Sequence, residues 1–255
     1  MKLNITYIYP ENLNLYGDTG NVEILKYRAQ KRDISVNITT IGIKDLINKN
    51  TFKNTDIIFM GGGPDSGQKD IYKDLIKNKA SYLKDYIENG GCGLFICGSY
   101  QLLGNYYRTA DGSSLEGAHI FDLYTEQPDD NAPRCIGNTV AKLSSTILED
   151  PYFKNNNYIG DLIVGFENHG GRTYLAEDSV PFAEIIKGFG NNAQDGYEGI
   201  HHKNAIGTYF HGPILSKNPH IADYLISKSL GIEKLQKLDD YLITSAHNTA
   251  LRLRS

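Results

Sequence analysis

Two short apolar runs, Ile57–Met60 and Gly93–Ile96, constrain the fold most. Neither alternates with polar residues, so neither has a face to offer water. Each reads as a strand buried on both faces, as in a parallel sheet covered by helices. Each stops abruptly, the first at Gly61-Gly62-Gly63-Pro64 and the second at Cys97-Gly98. Around them, Leu3–Tyr9 and Ser35–Ile41 alternate and read as strands, whereas Asn21–Arg32 and Ile71–Asn89 read as helices. Strand, helix, strand, strand, helix, strand is a doubly wound α/β order, a sheet flanked by helices.

Beyond about Leu115 the texture changes. Short strand-like runs at Ile120–Thr125, Ile136–Leu143, Leu162–Phe166, Phe182–Ile186 and Ala205–Phe210 are broken by Gly, Asn and Asp. That pattern predicts a half richer in antiparallel strands. Ile221–Leu230 is expected to be a helix behind Asn218-Pro219, and Ile232–Arg254 to continue helically. No repeat or Pro/Ser-rich hinge interrupts the chain, so residues 1–255 are expected to form one domain with a helical tail at about 232–255.

The second run ends in the feature that points to chemistry. In Gly93-Leu94-Phe95-Ile96-Cys97-Gly98-Ser99-Tyr100-Gln101 a strand-like stretch meets a cysteine, then a glycine, then a helix-like stretch. Such a strand-turn-helix elbow holds a nucleophile above an α/β sheet. A thiol there lies at a helix N-terminus, where the dipole favours thiolate. Gly98 leaves a backbone N–H free to meet an oxyanion, and the Gly61-Gly62-Gly63 run, which ends another strand, can supply further N–H donors. Gln101, one helical turn after Cys97, faces the same way and carries an amide suited to an amino-acid-like substrate.

A base is offered by Gly207-Thr208-Tyr209-Phe210-His211-Gly212-Pro213, where His211 follows another strand-like run. His169, in Phe166-Glu167-Asn168-His169-Gly170-Gly171-Arg172-Thr173, is its rival, although that loop reads more simply as a pocket wall or a glycine-rich turn. Cys92 and Cys135 have no comparable context and read as structural. A lone buried cysteine is usually inert, so the hydrolase reading rests on the combination.

Composition narrows the setting. A net charge of −4 without a Lys/Arg block argues against nucleic acid as a partner. No apolar run approaches the roughly 20 residues of a membrane span, and Met1–Pro10 has no signal-peptide pattern. Three cysteines, odd and sparse, suit a reducing cytoplasm rather than a disulfide framework. There is no metal-ligand spacing and no phosphate-binding GxxxxGK[ST], so no metal or ATP site is expected in this chain.

The order Gly62-Gly63-Pro64, Cys97-Gly98-x-x-Gln101 and a late His211 resembles the class I glutamine amidotransferases, in their cobyric-acid-synthase-like branch. Asn12–Asn21, Phe166–Thr173 and Gly207–Leu215 are similar to glutaminase subunits that serve a Mur-ligase-like synthetase of the MurT type. That resemblance implies a flavodoxin-like mixed sheet, Cys97 as nucleophile, His211 as base, and an oxyanion hole at Gly63 and Gly98. It implies substrate glutamine held by Gly62, Gln101, Arg134, Asn168 and His169. It further implies ammonia delivery to the partner, where ATP and magnesium are used to amidate the stem-peptide glutamate of lipid II. A cobyrinate-like acceptor, a thiol peptidase and a non-catalytic binding module remain the alternatives.

Two places depart from the class pattern. Phe95 and Ser99 stand where many members have glycine two residues either side of the nucleophile, and Pro213 stands where many have a glutamate that orients the histidine. An imidazole base works best when a second group fixes its tautomer. The missing acid therefore predicts that a partner subunit completes or aligns the site, with Glu167 as the competing candidate within the chain.

Overall fold

The computed structural model describes residues 1–109, 112–128, 132–156 and 159–253. Its first half runs β1 (Lys2–Ile8), α1 (Thr19–Gln30), β2 (Ser35–Ile41), β3 (Ile57–Met60), α2 (Asp65–Asp74), α3 (Ala80–Glu88), β4 (Cys92–Ile96) and α4 (Gly98–Leu102). The middle runs β5 (Tyr106–Arg108), β6 (Ser114–Glu116), β7 (Leu123–Glu126), β8 (Cys135–Leu143), α5 (Ser145–Leu148), α6 (Pro151–Asn155), β9 (Leu162–His169) and β10 (Arg172–Leu175). The last part runs β11 (Ala183–Lys187), β12 (Tyr197–Glu198), β13 (Ile200–His202), β14 (Ala205–Thr208), α7 (Ile214–Lys217), α8 (Pro219–Leu230) and α9 (Tyr241–Ala250).

The central sheet has the order β13-β14-β4-β3-β1-β2. Its pairings are parallel except β13 with β14. Every residue of β3, β4 and β14 is buried, which is why these strands carry no polar alternation. Helices α1 and α8 pack on each other, and α8 lies along β1, β3 and β4. Pro219 starts α8, and Gly231, with φ +66°, ends it. Buried Arg28 on α1 forks onto Asp223 of α8 and onto Asp240, at 2.6–2.8 Å.

The second half is richer in antiparallel pairs, as its punctuation predicts. One small sheet, β10-β7-β5-β6, is mixed, and another, β12-β11-β8-β9, is antiparallel throughout. Two expectations fail locally. The Ile120–Thr125 run pairs only from Leu123, because the Ile120 and Phe121 N–H groups both donate to the Leu103 carbonyl in the turn after α4. Among the described residues, the tail is helical only over Tyr241–Ala250. Before that helix, Arg32 takes the Gln236 carbonyl at 2.7 Å, Asn156 takes that of Glu233 at 3.0 Å, and Arg28 holds Asp240. These contacts draw residues 232–240 across the surface in a non-helical path. Arg254, included in that expectation, lies outside the described residues. No helix among the described residues is long and apolar enough to cross a membrane.

Candidate active site

Parallel pairing brings the carboxyl ends of β1, β3, β4 and β14 to one edge of the sheet, where their loops meet. Cys97 leaves β4 with φ +50° and ψ −106°, and α4 begins at the next residue. A non-glycine residue in such a conformation costs about 1–3 kcal/mol, so the surroundings must enforce it. The Cys97 N–H donates to the Thr208 carbonyl at 2.8 Å, which ties the elbow to β14. The Ser99 hydroxyl lies 3.0 Å from the carbonyl oxygens of both Met60 and Ile96, at the ends of β3 and β4. Ser99 thus fastens the elbow from within α4, and no glycine is required there.

Two glycines beside the elbow admit no side chain. A Cβ on Gly98 would lie 2.6 Å from Gln68 Nε2, and that amide donates to the Gly63 carbonyl at 3.2 Å. A Cβ on Gly62 would meet His211 Cε1 at 2.8 Å, Cys97 Cβ at 3.1 Å and Asp18 Oδ2 at 3.2 Å. Gly62 is the junction of three reactive-looking side chains. Both its backbone groups are engaged, the N–H on Asp18 Oδ2 at 2.7 Å and the carbonyl by Leu15 N–H at 2.9 Å. The Gly62 backbone thus helps to hold the Leu13–Asp18 loop. The Gly63 N–H meets no backbone acceptor among the described residues. The Gly98 N–H opens α4, where helix geometry supplies none.

His211 stands just past β14, and its backbone is clipped in both directions to Phe166 of β9, at 2.8 and 3.2 Å. Its Nδ1 lies 3.2 Å from Asp18 Oδ1, and both side chains are fully buried. Nε2 is also buried and has no hydrogen-bond partner. Burial alone would push the imidazolium down. The Asp18 carboxylate on Nδ1 and the closeness of Cys97 outweigh burial and raise it to about 10. The edge of the Tyr16 ring completes the enclosure at 4.8 Å between ring centres.

A carboxylate thus meets the His211 ring from within this chain, far from Pro213 in sequence. This corrects the expectation that a partner supplies it. It also rules out Glu167, whose oxygens accept from the Thr139 hydroxyl at 2.6 Å and from the N–H groups of Phe189 and Gly190 at 2.7 and 2.9 Å. Sequence reasoning missed Asp18 as it missed Tyr16 and Gln68. A survey of carboxylates in loops that leave the carboxyl ends of parallel strands would have found it, because Asp18 follows β1.

The other expected substrate residues form a wall and a rim. His169 is buried, donates from Nδ1 to the Gly171 carbonyl at 2.8 Å, and stacks on Tyr209 with ring centres 3.6 Å apart. Burial lowers its pKa. Gln101 is buried too and donates from Nε2 to the Tyr209 hydroxyl at 2.9 Å, which also meets Thr173 Oγ1 at 2.6 Å. A Cβ on Gly171 would lie 2.7 Å from Gln101 Nε2, and one on Gly170 would lie 3.1 Å from an Arg134 guanidinium nitrogen. Gly170-Gly171 therefore separates buried Gln101 from Arg134 at the rim. Arg134 donates to the Asn168 side-chain and backbone oxygens at 3.0 and 3.1 Å, and the Asn168 amide donates to the Tyr16 hydroxyl. Cys92 opens β4, away from the elbow, and Cys135 pairs with His169 across β8 and β9; burial pushes their thiols up to about 12 and about 11.

A cysteine on an elbow above parallel strands, with a buried histidine from the adjacent strand, defines the class I glutamine amidotransferase arrangement. The profile of the CobB/CobQ-like glutamine amidotransferase domain matches residues 4–219, and this chain belongs to that family. It is 45% identical over 228 residues to the Staphylococcus aureus lipid II isoglutaminyl synthase (glutamine-hydrolyzing) subunit GatD, covering 89% of this chain and 84% of that protein. It is 39% identical to the Streptococcus pneumoniae subunit of the same name, covering 90% and 81%. The structure of PurLQS from Thermotoga maritima superposes with a TM-score of 0.60 at 15% identity, covering 92% of this chain and all of that one, and so shares the fold.

Proposed function

We propose that this chain is the glutaminase subunit of a two-chain, ATP-dependent ligase that amidates the stem-peptide glutamate of lipid II. The observation that carries the reading is the pairing of Cys97, held in its strained elbow, with the buried and partner-free Nε2 of His211. The Cys97 sulfur attacks the side-chain amide carbon of glutamine as its proton passes to Nε2. The oxyanion forms against the N–H groups of Gly63 and Gly98. His211 returns the proton to the departing nitrogen as the C–N bond breaks, leaving a thioester and ammonia. It then takes a proton from water, whose oxygen attacks the thioester, and glutamate leaves as the thiol is restored.

Arg134 and Asn168 at the rim are suited to the free carboxylate and ammonium of glutamine, with the Gln101, His169 and Tyr209 wall behind them. Ammonia protonates in water and loses its nucleophilicity, so it passes directly to a Mur-ligase-like synthetase of the MurT type in a heterodimer. The synthetase holds ATP and magnesium, and no cofactor is assigned to this chain. Three free, buried cysteines suit a reducing cytoplasm. The test is reconstitution of this chain with the synthetase encoded by the same cell. Glutamine-dependent amidation of lipid II supports the reading. Hydrolysis without amidation redirects the acceptor, and cleavage of peptides with no action on glutamine defeats it.

A further inference from the structure

Asp18 occupies the N-cap position of α1, where an aspartate ordinarily accepts from its own helix. It makes no such bond. Its carboxylate is turned the other way, into the closed edge of the central sheet, with one oxygen on the Gly62 N–H and the other on His211 Nδ1. Forgoing a cap costs a helix about 1 kcal/mol, so the turn toward the site is a choice the surroundings must compensate. The loop that delivers it is fixed at several points. Leu15 N–H donates to the Gly62 carbonyl, Asn14 Oδ1 accepts from the Thr19 N–H at 2.9 Å, and the Thr19 hydroxyl meets that of Tyr7 at 3.0 Å.

We propose that Asp18 is the positioning residue of this site, its carboxylate holding the His211 imidazole with the proton on Nδ1 and with Nε2 open toward the Cys97 thiol. The inference rests on the glutaminase reading and deepens it. A carboxylate can only accept, so Nδ1 must carry the hydrogen, and Nε2 of the neutral ring must then be the acceptor. That is the tautomer able to take the thiol proton. Once Nε2 is protonated, Asp18 faces an imidazolium and steadies its charge until the proton passes to the leaving nitrogen. The Gly62 N–H holds the second oxygen, so the carboxylate does not rotate away. Gly62 also adjoins Gly63, so one carboxylate ties the base to the strand end that offers the oxyanion donor. The acid of this triad comes from the loop after β1 rather than from the residues after the histidine.

Asp18→Asn tests this in the full chain. Its amide oxygen can keep the Gly62 bond, but its NH2 then faces Nδ1 and selects the opposite tautomer. Glutamine turnover, alone and with the synthetase, is expected to fall on the order of 10²- to 10⁴-fold in kcat, the range seen when such an acid becomes an amide. KM is expected to stay within about threefold, as Asp18 touches no substrate group. A second measurement does not depend on activity. In Cys97→Ala protein, where the thiol is gone, nitrogen-15 NMR of His211 should show a titration above the ordinary histidine value and, above its midpoint where the ring is neutral, the remaining proton on Nδ1. Adding Asp18→Asn should lower that midpoint by about one pH unit or more. A kcat near wild type, or a fall matched by an equal loss of melting temperature with the His211 titration unmoved, overturns the proposal. If Asp18→Asn does not fold, an unprotonated Nδ1 in the Cys97→Ala chain overturns it and a protonated one with the raised titration supports it. The NMR result stands even if the chain proves not to hydrolyse glutamine, so the two failures are distinguishable.

Discussion

The two histidines of this pocket, His211 and His169, are both buried and both sit beside a carboxylate, yet their surroundings drive them in opposite directions. His211 has Asp18 on Nδ1 and the cysteine near its ring, and its charged form is favoured. His169 has a backbone carbonyl on Nδ1 and an aromatic ring on its face. Glu167 stands 3.9 Å from its Nε2, already occupied by Thr139, Phe189 and Gly190. Proximity to an acid therefore does not define a base. What matters is whether the acid has an oxygen to give and whether the other ring nitrogen faces something to deprotonate.

The largest expected effect is at the nucleophile. Cys97→Ala should remove glutamine hydrolysis while leaving the melting temperature close to wild type, since the smaller side chain fits the same backbone. Retention of more than about a thousandth of wild-type turnover would contradict a covalent path. Next comes the contrast itself. His211→Ala should reduce kcat at least on the order of 10²-fold, whereas His169→Ala should raise the glutamine KM more than it lowers kcat. The reverse ranking would move the base to His169.

A smaller effect belongs to the rim. Arg134→Ala should raise the glutamine KM, and in the reconstituted complex it should leave amidation from added ammonia intact. Loss of the ammonia-driven reaction as well would indicate a damaged fold or interface instead. The smallest is a pH effect on the His169 side of the pocket. Glu198 is fully buried under Tyr209; burial, and secondarily the charge of Glu167, raise its carboxyl to about 8, although Thr208, Tyr209 and Gly199 donate to it. The unfolded chain releases this proton near pH 4.5 and the folded chain near 8. Its contribution to stability is therefore full below about 4.5 and declines as pH rises toward 8. Thermal melts across that window should flatten in Glu198→Gln, and an unchanged slope would argue that Glu198 is ionised in the fold.

Legibility from sequence followed the range of the interactions. The β3 and β4 runs announce themselves because a strand buried on both faces cannot carry polar residues, and the elbow is visible because nucleophile, glycine and helix are consecutive. The antiparallel half was readable only as texture, since its pairings, such as Cys135 with His169, join distant segments. Asp18 was invisible for the same reason. Its partner is 193 residues away, and only the parallel order of β1, β3, β4 and β14 brings them to one edge. The tail misled because an apolar pattern says nothing of arginines 28 and 32, which capture residues 236 and 240 before a helix can form.

The most direct test treats the wild-type, His211→Ala and His169→Ala chains with a glutamine-analogue electrophile and maps the adduct by peptide mass spectrometry over time. One adduct is expected, on Cys97. Its formation should slow at least on the order of 10²-fold in His211→Ala and only a few-fold in His169→Ala, and Cys92 and Cys135 should stay unmodified. Modification of Cys92 or Cys135 ahead of Cys97, or a greater slowing in His169→Ala than in His211→Ala, would contradict the account.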